Sequence, residues 1–464
     1  MKLRDIHTVY FLGVGGIGMS ALARWFKAND FRVYGYDKTA TSLTETLSSE
    51  GIEIHYEDKL SAMPQDVMES NEGVLVVYTP AVPKSHFGLN LLQNNGYELM
   101  KRAQVLGAIT EDFQTVGVAG THGKTTTSSI LAHILHDSNI NCTAFLGGIT
   151  KNYNSNLILG NPDEESVMVV EADEFDRSFL TLSPDVAIVT SVDADHLDIY
   201  GDGNALITSF REYVSRLTPG GLLILNEGVT DDLVAGRDDI KVITYGLQKA
   251  DVRAENIRVV DGEQVFDYVS PEHTIKDLQL SLPGFHNIQN TVGAITAALK
   301  VGLGPKQVRA AVGSYCGVKR RFEYVVKTPE LVYIDDYAHH PTEINAFVES
   351  VRALYPGRKL TVLFQPHLFS RTRDFMDDFA KALSQVDELI LLNIYPAREL
   401  PMEGITSEVL LEKVNLSNKS LIEDTALMDD LAGRELDIVA TVGAGDIDRF
   451  VQPIQTLLEG RVYA

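Results

Sequence analysis

The chain has 464 residues, enough for two to four domains, and 44% of them are hydrophobic, as in proteins with ordinary buried cores. With 40 basic against 64 acidic residues the formal charge is −24, which argues against nucleic acid or an anionic membrane as partner and leaves small anionic substrates open. Two cysteines, Cys142 and Cys316, give no disulfide framework or zinc site, and no apolar stretch is long enough to span a bilayer, so a cytoplasmic protein is expected.

Val9-Tyr10-Phe11-Leu12 is an unbroken apolar run, as buried parallel strands require. It enters Gly13-Val14-Gly15-Gly16-Ile17-Gly18, after which Ala21, Leu22, Trp25 and Phe26 recur at helical spacing. A second strand, Arg32 to Tyr36, ends at Asp37. The G-x-G-x-x-G spacing and the acid after the second strand describe a Rossmann-like βαβ unit. Its backbone suits any pyrophosphate at a helix N-terminus, so NAD and another nucleotide-bearing substrate both remain open. Gly73–Tyr78 is a further strand, followed by the loop Thr79–Pro83, and a first domain is expected over residues 1–109.

A second phosphate loop follows. Thr115-Val116-Gly117-Val118 leads into Gly120-Thr121-His122-Gly123-Lys124-Thr125-Thr126-Thr127, and Ile130, Leu131, Ile134 and Leu135 continue as a helix. Strand, glycine turn, Lys-Thr and helix is the arrangement that holds a nucleotide triphosphate: amides face phosphate oxygens, Lys124 reaches the β- and γ-phosphates, and the Thr125 hydroxyl can ligate Mg²⁺. The loop is a short form, because Val118 stands where the usual P-loop has its first glycine. Use of ATP is therefore expected.

Two strand ends beside this loop carry ionisable groups. Glu171-Ala172-Asp173-Glu174 follows the Val167–Val170 run, where a carboxylate can hold Mg²⁺. Asp193-Ala194-Asp195-His196 follows Val186–Val189 and offers His196 as metal ligand or phosphate contact. Gly221–Leu225 is another strand. Residues 251–283 alternate and contain Asp261-Gly262, which predicts an antiparallel patch with a hairpin. An alanine-rich helix, Thr291 to Leu299, follows Gly284-Phe285-His286-Asn287.

Arg320-Arg321-Phe322-Glu323 precedes a third α/β pattern with strands at Val332–Ile334, Leu360–Phe364, Glu388–Leu392 and Asp437–Thr441. Asp335-Asp336-Tyr337-Ala338-His339-His340-Pro341 ends the first of these, and Gln365-Pro366-His367 with Arg371-Thr372-Arg373 follows the second. Ionisable groups at several strand ends of one domain are expected to converge on one cleft. The fold class is α/β, with three tandem Rossmann-like domains at 1–109, 110–322 and 323–464, the central one carrying the P-loop and the small antiparallel patch.

Taken in order, Gly13–Ser20, Gly120–Thr127, Glu171–Asp176, Asp193–Tyr200, His286-Asn287 with Asn290, Arg320–Phe322, Asp335–Glu343, Phe364–Asp374 and Tyr395–Glu399 resemble the motifs of the Mur ligases along essentially the whole chain. The resemblance implies a domain for a UDP substrate, one for ATP, and a C-terminal one for the amino acid. It implies that the lactyl carboxylate of UDP-N-acetylmuramate attacks the ATP γ-phosphate, and that the amine of L-alanine then displaces phosphate from the acyl phosphate. Lys124, Glu171, His196, His339 and Arg371 are then the catalytic group, with Thr125, Glu171 and His196 around Mg²⁺. Gly120, Thr121, His122, Gly123, Lys124, Thr125 and Thr126, with Asn287, Arg321 and Asp336, become ATP contacts. Gly13, Gly15, Gly16, Ile17, Gly18 and Asp37 hold the UDP substrate rather than NAD, and Tyr337, His339, His367 and Arg371 face ATP or the incoming amino acid. Leu368 stands where many relatives carry a basic residue, which makes Arg371 the expected carboxylate anchor. The implied partners are small molecules, not nucleic acid or membrane, and the implied assembly is a monomer or homodimer.

Overall fold

The computed structural model describes residues 5–193, 200, 203–234, 236–260, 263–397 and 399–462. The chain divides into two compact units: Met1–Glu255 with Asp267–Leu278 and Gln289–Tyr315, and Asn256–Phe266 with Gln279–Ile288 and Cys316–Ala464. His196, the Asp261-Gly262 pair and Arg398 lie outside the described residues.

Strands β1 (Thr8–Leu12), β2 (Arg32–Tyr36), β3 (Glu53–His55), β4 (Val74–Tyr78) and β5 (Glu98–Lys101) form a sheet in the order β3-β2-β1-β4-β5. All four pairings are parallel. The run Val9–Leu12 is continuously apolar because both faces are covered. Val9 and Phe11 enter one core with Leu75 and Val77, while Tyr10 and Leu12 enter another with Val74 and Val76. Each such side chain contributes about 1.5–3 kcal/mol by leaving water, against about 1 kcal/mol net for a hydrogen bond, so burial dominates. Strand order reverses between β1 and β4, which opens a crevice beyond their carboxyl ends, where Gly13–Gly18 sits.

A second sheet contains β6 (Gln114–Ala119), β7 (Cys142–Thr150), β8 (Ser155–Ile158), β9 (Val167–Ala172), β10 (Val186–Val189), β11 (Leu222–Asn226), β12 (Lys241–Gly246), β13 (Val252–Val260), β14 (Glu263–Val269) and β15 (Thr274–Leu280). Its order is β15-β14-β13-β12-β11-β10-β6-β9-β7-β8. The P-loop strand β6 lies between β9 and β10, parallel to both, so its carboxyl end borders those of two neighbours. Hairpin β7–β8 is antiparallel and receives the helix Ile17–Ala28. Asn156 of β8 is fully buried there, and its Nδ2 donates to Ile17 O at 2.5 Å and Ser20 Oγ at 2.9 Å, while Arg24 donates to its Oδ1. One apolar cluster runs from Phe11, Leu22 and Phe26 to Phe145, Leu157 and Met168, which joins the first sheet to the second in one unit.

The third sheet comprises β16 (Glu323–Lys327), β17 (Val332–Asp336), β18 (Leu360–Phe364), β19 (Glu388–Leu391), β20 (Lys419–Leu421) and β21 (Ile438–Val442), ordered β16-β17-β21-β18-β19-β20. Only the edge pair β16–β17 is antiparallel. Alternation is again two-sided: Val332, Ile334, Val362 and Phe364 face one core, Tyr333 and Leu363 the other.

Candidate active site

The loop after β6 turns on two glycines with positive φ, Gly120 at 140° and Gly123 at 82°. Gly123 caps the helix Lys124–Asp137 in the left-handed conformation, which L side chains adopt only with strain. The loop is braced by residues just beyond β10. Thr121 N donates to Ser191 O at 3.1 Å, His122 N to Ser191 Oγ at 2.8 Å, and Asp193 N to Thr121 Oγ1 at 3.0 Å. The hydroxyl of Thr190 donates to His122 O. Thr121 and His122 thus use their amides to shape the loop, and His122 Nε2 lies 3.6 Å from Asp193 Oδ2. The amides that open the helix, from Lys124 to Thr126, follow directly, and Asn290 Oδ1 closes over Gly123, 2.7 Å from where a Cβ would stand.

Lys124 Nζ donates to Gly120 O at 2.5 Å and pairs with both oxygens of Glu174 at 2.8 Å, and Glu174 is fully buried. Burial by itself would lower the Lys124 pKa, but Glu174, Asp173 and Glu171 outweigh it and push the ammonium up to about 12. It stays charged at any physiological pH. Thr125 Oγ1 lies 3.1 and 3.0 Å from the two oxygens of Glu171, whose Oε2 also accepts from Gly147 N at 2.9 Å. A hydroxyl and a carboxylate converging at this glycine loop are hard oxygen donors of the kind that suits Mg²⁺. Among the described residues no cluster of three or more His, Cys, Asp or Glu could hold a metal.

The first loop is built similarly. Gly13 and Val14 donate to Tyr36 O, Gly15 N donates to Asp37 Oδ2 at 2.8 Å, and Thr39 N donates to Asp37 Oδ1 at 3.2 Å. Asp37 therefore fixes the loop's shape. Gly16 is the N-cap of the helix Ile17–Ala28, so that helix's N-terminal turn faces the crevice.

In the second unit the residues anticipated at different strand ends do come together. Tyr337, His339, His367 and Tyr395 form a ladder of rings, with successive centroids 5.4, 6.1 and 5.7 Å apart. Arg371 is buried, with Nη1 3.4 Å from His367 Nδ1. The Arg320 and Arg321 guanidinium carbons each lie 5.0 Å from the Tyr337 ring centre. Asp336 accepts from Phe322 N at 2.7 Å and Ala338 N at 2.8 Å, which ties the Arg320–Phe322 turn to the Tyr337–His339 loop. Burial pushes Asp336 up to about 6, although Arg321 and the two amides pull it down. Asp335 reaches about 6 for the same first reason, with Arg320 and Thr441 opposing. Burial holds His286 down to about 4. Asn287 donates to Pro283 O at 2.6 Å. Leu368 has φ +70° and ψ 136° where the chain turns from β18 into the helix Phe369–Asp374, a strained conformation for a leucine.

Three family models match in chain order: the Mur ligase family catalytic domain over residues 8–114, the Mur ligase middle domain over 118–298, and the Mur ligase glutamate ligase domain over 320–445. A UDP-N-acetylmuramate–L-alanine ligase of Cytophaga hutchinsonii is 50% identical over 462 residues, 99% of either chain. The chain belongs to the Mur ligase family. A second relative with the same name, from Flavobacterium johnsoniae, is 49% identical over all of both chains. The solved structure of the UDP-N-acetylmuramate–alanine ligase of Thermotoga maritima superposes with a TM-score of 0.80 at 27% identity, covering 97% of this chain and 99% of that one. A murein peptide ligase of Psychrobacter arcticus shares the fold, with a TM-score of 0.71 at 22% identity, covering 97% of this chain and 98% of that one. The protein therefore has the three-domain α/β fold of an ATP-dependent ligase family.

Several contacts in this Mur ligase were not legible in the sequence, even where the residues lie in its motifs. Glu174 was legible only as part of an acidic turn, yet it holds Lys124. Ser191 looks like any loop serine, and its bracing role depends on β10 lying beside β6. Glu399 accepts from Ser370 N at 3.0 Å and fixes the helix that bears Arg371. The Gly443-Ala444-Gly445 turn after β21 carried a usable signal, a glycine pair directly after an apolar run. A Cβ on Gly445 would lie 2.8 Å from the Tyr395 side chain.

Proposed function

We propose that the chain joins L-alanine to the lactyl carboxylate of UDP-N-acetylmuramate, using ATP, in the making of peptidoglycan precursors. The observation that carries this reading is the Gly120–Thr127 loop with Lys124, Thr125 and Glu171 gathered at its mouth, in a chain half identical to L-alanine ligases along its whole length. The expected course is phosphorylation of the substrate carboxylate by ATP, attack of the amine on the acyl phosphate, and loss of phosphate.

Lys124 stays protonated and neutralises charge on the transferring phosphoryl group, and the helix amides behind it add fixed dipoles. Thr125 and Glu171 would supply oxygen ligands for Mg²⁺, with His196 expected from the sequence motif to assist them. A Mg²⁺ held by these oxygens would supply positive charge to offset that on the phosphoryl group. Asn287, Arg321 and Asp336 serve the nucleotide, and Gly13–Gly18 with Asp37 seats the UDP diphosphate on a helix N-terminus. His339, His367 and Tyr337 shape the amino-acid end, and Arg371 binds the alanine carboxylate, since Leu368 offers no charge there. We assign 1–109 to the UDP substrate, 110–322 to ATP and 323–464 to the amino acid, in a cytoplasmic monomer or homodimer. Phosphate release with an amino-acid panel tests the reading: turnover should require both UDP-N-acetylmuramate and L-alanine. Turnover with a tripeptide and none with alanine would replace it by a peptide-recycling ligase.

A further inference from the structure

The helix Phe369–Asp374 is six residues long and carries Arg371 as its third residue. A helix this short does not hold itself together, and its first amides need acceptors from outside. Its own N-cap is Leu368, whose side chain has no acceptor to offer. A segment distant in sequence supplies one. Glu399 Oε2 accepts from Ser370 N at 3.0 Å, the amide that an N-cap side chain ordinarily satisfies, and Glu399 Oε1 accepts from Ser370 Oγ at 2.5 Å. The same segment grips the turn before the helix: Leu368 N donates to Tyr395 O at 3.0 Å, and Tyr395 N donates to Pro366 O at 2.8 Å. Leu368 holds φ at +70°, and a leucine stays there only where its surroundings impose it. His367 and Arg371 stand within this clamp, the arginine Nη1 3.4 Å from the histidine Nδ1. Tyr395 and Glu399 thus fix the backbone from which the Arg371 guanidinium projects.

We propose that Glu399 is a positioning residue for the amino-acid substrate, which aims Arg371 by capping the helix that bears it. This deepens the L-alanine reading and rests on Arg371 as the carboxylate anchor. A guanidinium grips a carboxylate through two parallel N–H groups, so a small rotation of its helix breaks one of them. An uncapped first turn permits that rotation. Glu399 acts here as a hydrogen-bond acceptor rather than as a charge. Glutamine can therefore replace it, its carbonyl oxygen taking the Ser370 amide and its NH₂ donating to Ser370 Oγ. The other cation of the helix, Arg373, is exposed and pairs with Asp374 at 2.7 Å. It serves as the control for a purely electrostatic effect of Glu399.

Steady-state phosphate release is measured against L-alanine, with UDP-N-acetylmuramate and Mg·ATP saturating, for Glu399→Ala, Glu399→Gln, Ser370→Ala, Arg371→Met and, as control, Arg373→Ala. Glu399→Ala should raise KM for L-alanine about 10-fold. It should leave KM for ATP and for UDP-N-acetylmuramate unchanged and lower kcat far less. Glu399→Gln should recover most of that loss. Ser370→Ala, which keeps the amide contact, should raise KM about 3-fold, and Arg373→Ala should match the wild type. Wild-type KM in Glu399→Ala, an equal rise for all three substrates, or a loss in Glu399→Gln as large as in Glu399→Ala would overturn the role of Glu399 while the function stands. Should Glu399→Ala not fold, Ser370→Ala decides, and an unchanged KM for L-alanine there overturns the role. Wild-type KM in Arg371→Met would overturn the anchor itself, and failure of the wild-type protein to turn over with L-alanine would overturn the function.

Discussion

At the scale of single residues, Lys124 and Glu174 form the pair on which the proposed ATP site depends. Glu174 is fully buried, so its charge is tolerable only beside compensation. Lys124→Ala should lower turnover by about 10²–10³-fold or more. It should also cost about 3–5 kcal/mol of stability, because a buried carboxylate loses its cation. Denaturant unfolding separates the two effects: Lys124→Met with Glu174→Gln should recover most of the stability and none of the activity. Acid dependence is a second residue-scale consequence. Asp335 and Asp336 titrate near 6 when folded and near 4 when unfolded, so the folded state binds more protons in that window. Their contribution is fully present below pH 4 and is lost as the pH rises through 6. His286, at about 4 when folded and about 6.5 when unfolded, acts in the opposite sense, since the unfolded state binds the proton. The terms offset each other. His286→Gln should therefore make stability fall more steeply between pH 4 and 6, read from unfolding midpoints across that range.

At the scale of elements, the turns between strand and helix carry the proposed sites, and glycine matters where geometry demands it. Gly123 holds φ at 82° with Asn290 against it, so Gly123→Ala should cost about 1–2 kcal/mol and weaken ATP binding. Gly313, near the end of the helix Pro305–Ser314, has nothing within 4 Å of a Cβ. Gly313→Ala should stabilise the protein by about 0.5 kcal/mol with activity unchanged. Thermal unfolding and ATP titration of both variants check the contrast. The same elements show what can be read from sequence. Runs such as Val9–Leu12, Val186–Val189 and Leu360–Phe364 are strands at the positions that their composition predicts, because central parallel strands are apolar on both faces. The short strands β3 and β20 and the hairpin β7–β8 gave no such pattern. β7 contains Gly147 and Gly148 and β3 is only three residues long, so sheet pairing rather than local composition makes them strands.

At the scale of the whole molecule, the two glycine loops and the Asp193, Tyr337–His340 and Gln365–His367 segments lie beyond the carboxyl ends of parallel strands, Glu171 and Asp335-Asp336 fall within the last residues of theirs, and Arg320-Arg321 precedes β16. That placement was legible, since an apolar run followed by glycine or acid marks a strand end in any sheet. Which strand ends are neighbours was not. Glu174 beneath Lys124, Ser191 against the P-loop and Arg102 over Gly18 all depend on strand order and on the docking of the first sheet onto the second, which no local pattern encodes. If both glycine loops serve one amide-forming reaction, ATP-dependent phosphate release by this chain, with each substrate omitted in turn, is the most direct test. Release should occur only when UDP-N-acetylmuramate, L-alanine and Mg·ATP are all present, with L-alanine giving the highest kcat/KM in the amino-acid panel. Tight NAD binding with no use of Mg·ATP, or turnover with a peptide and none with L-alanine, would contradict it.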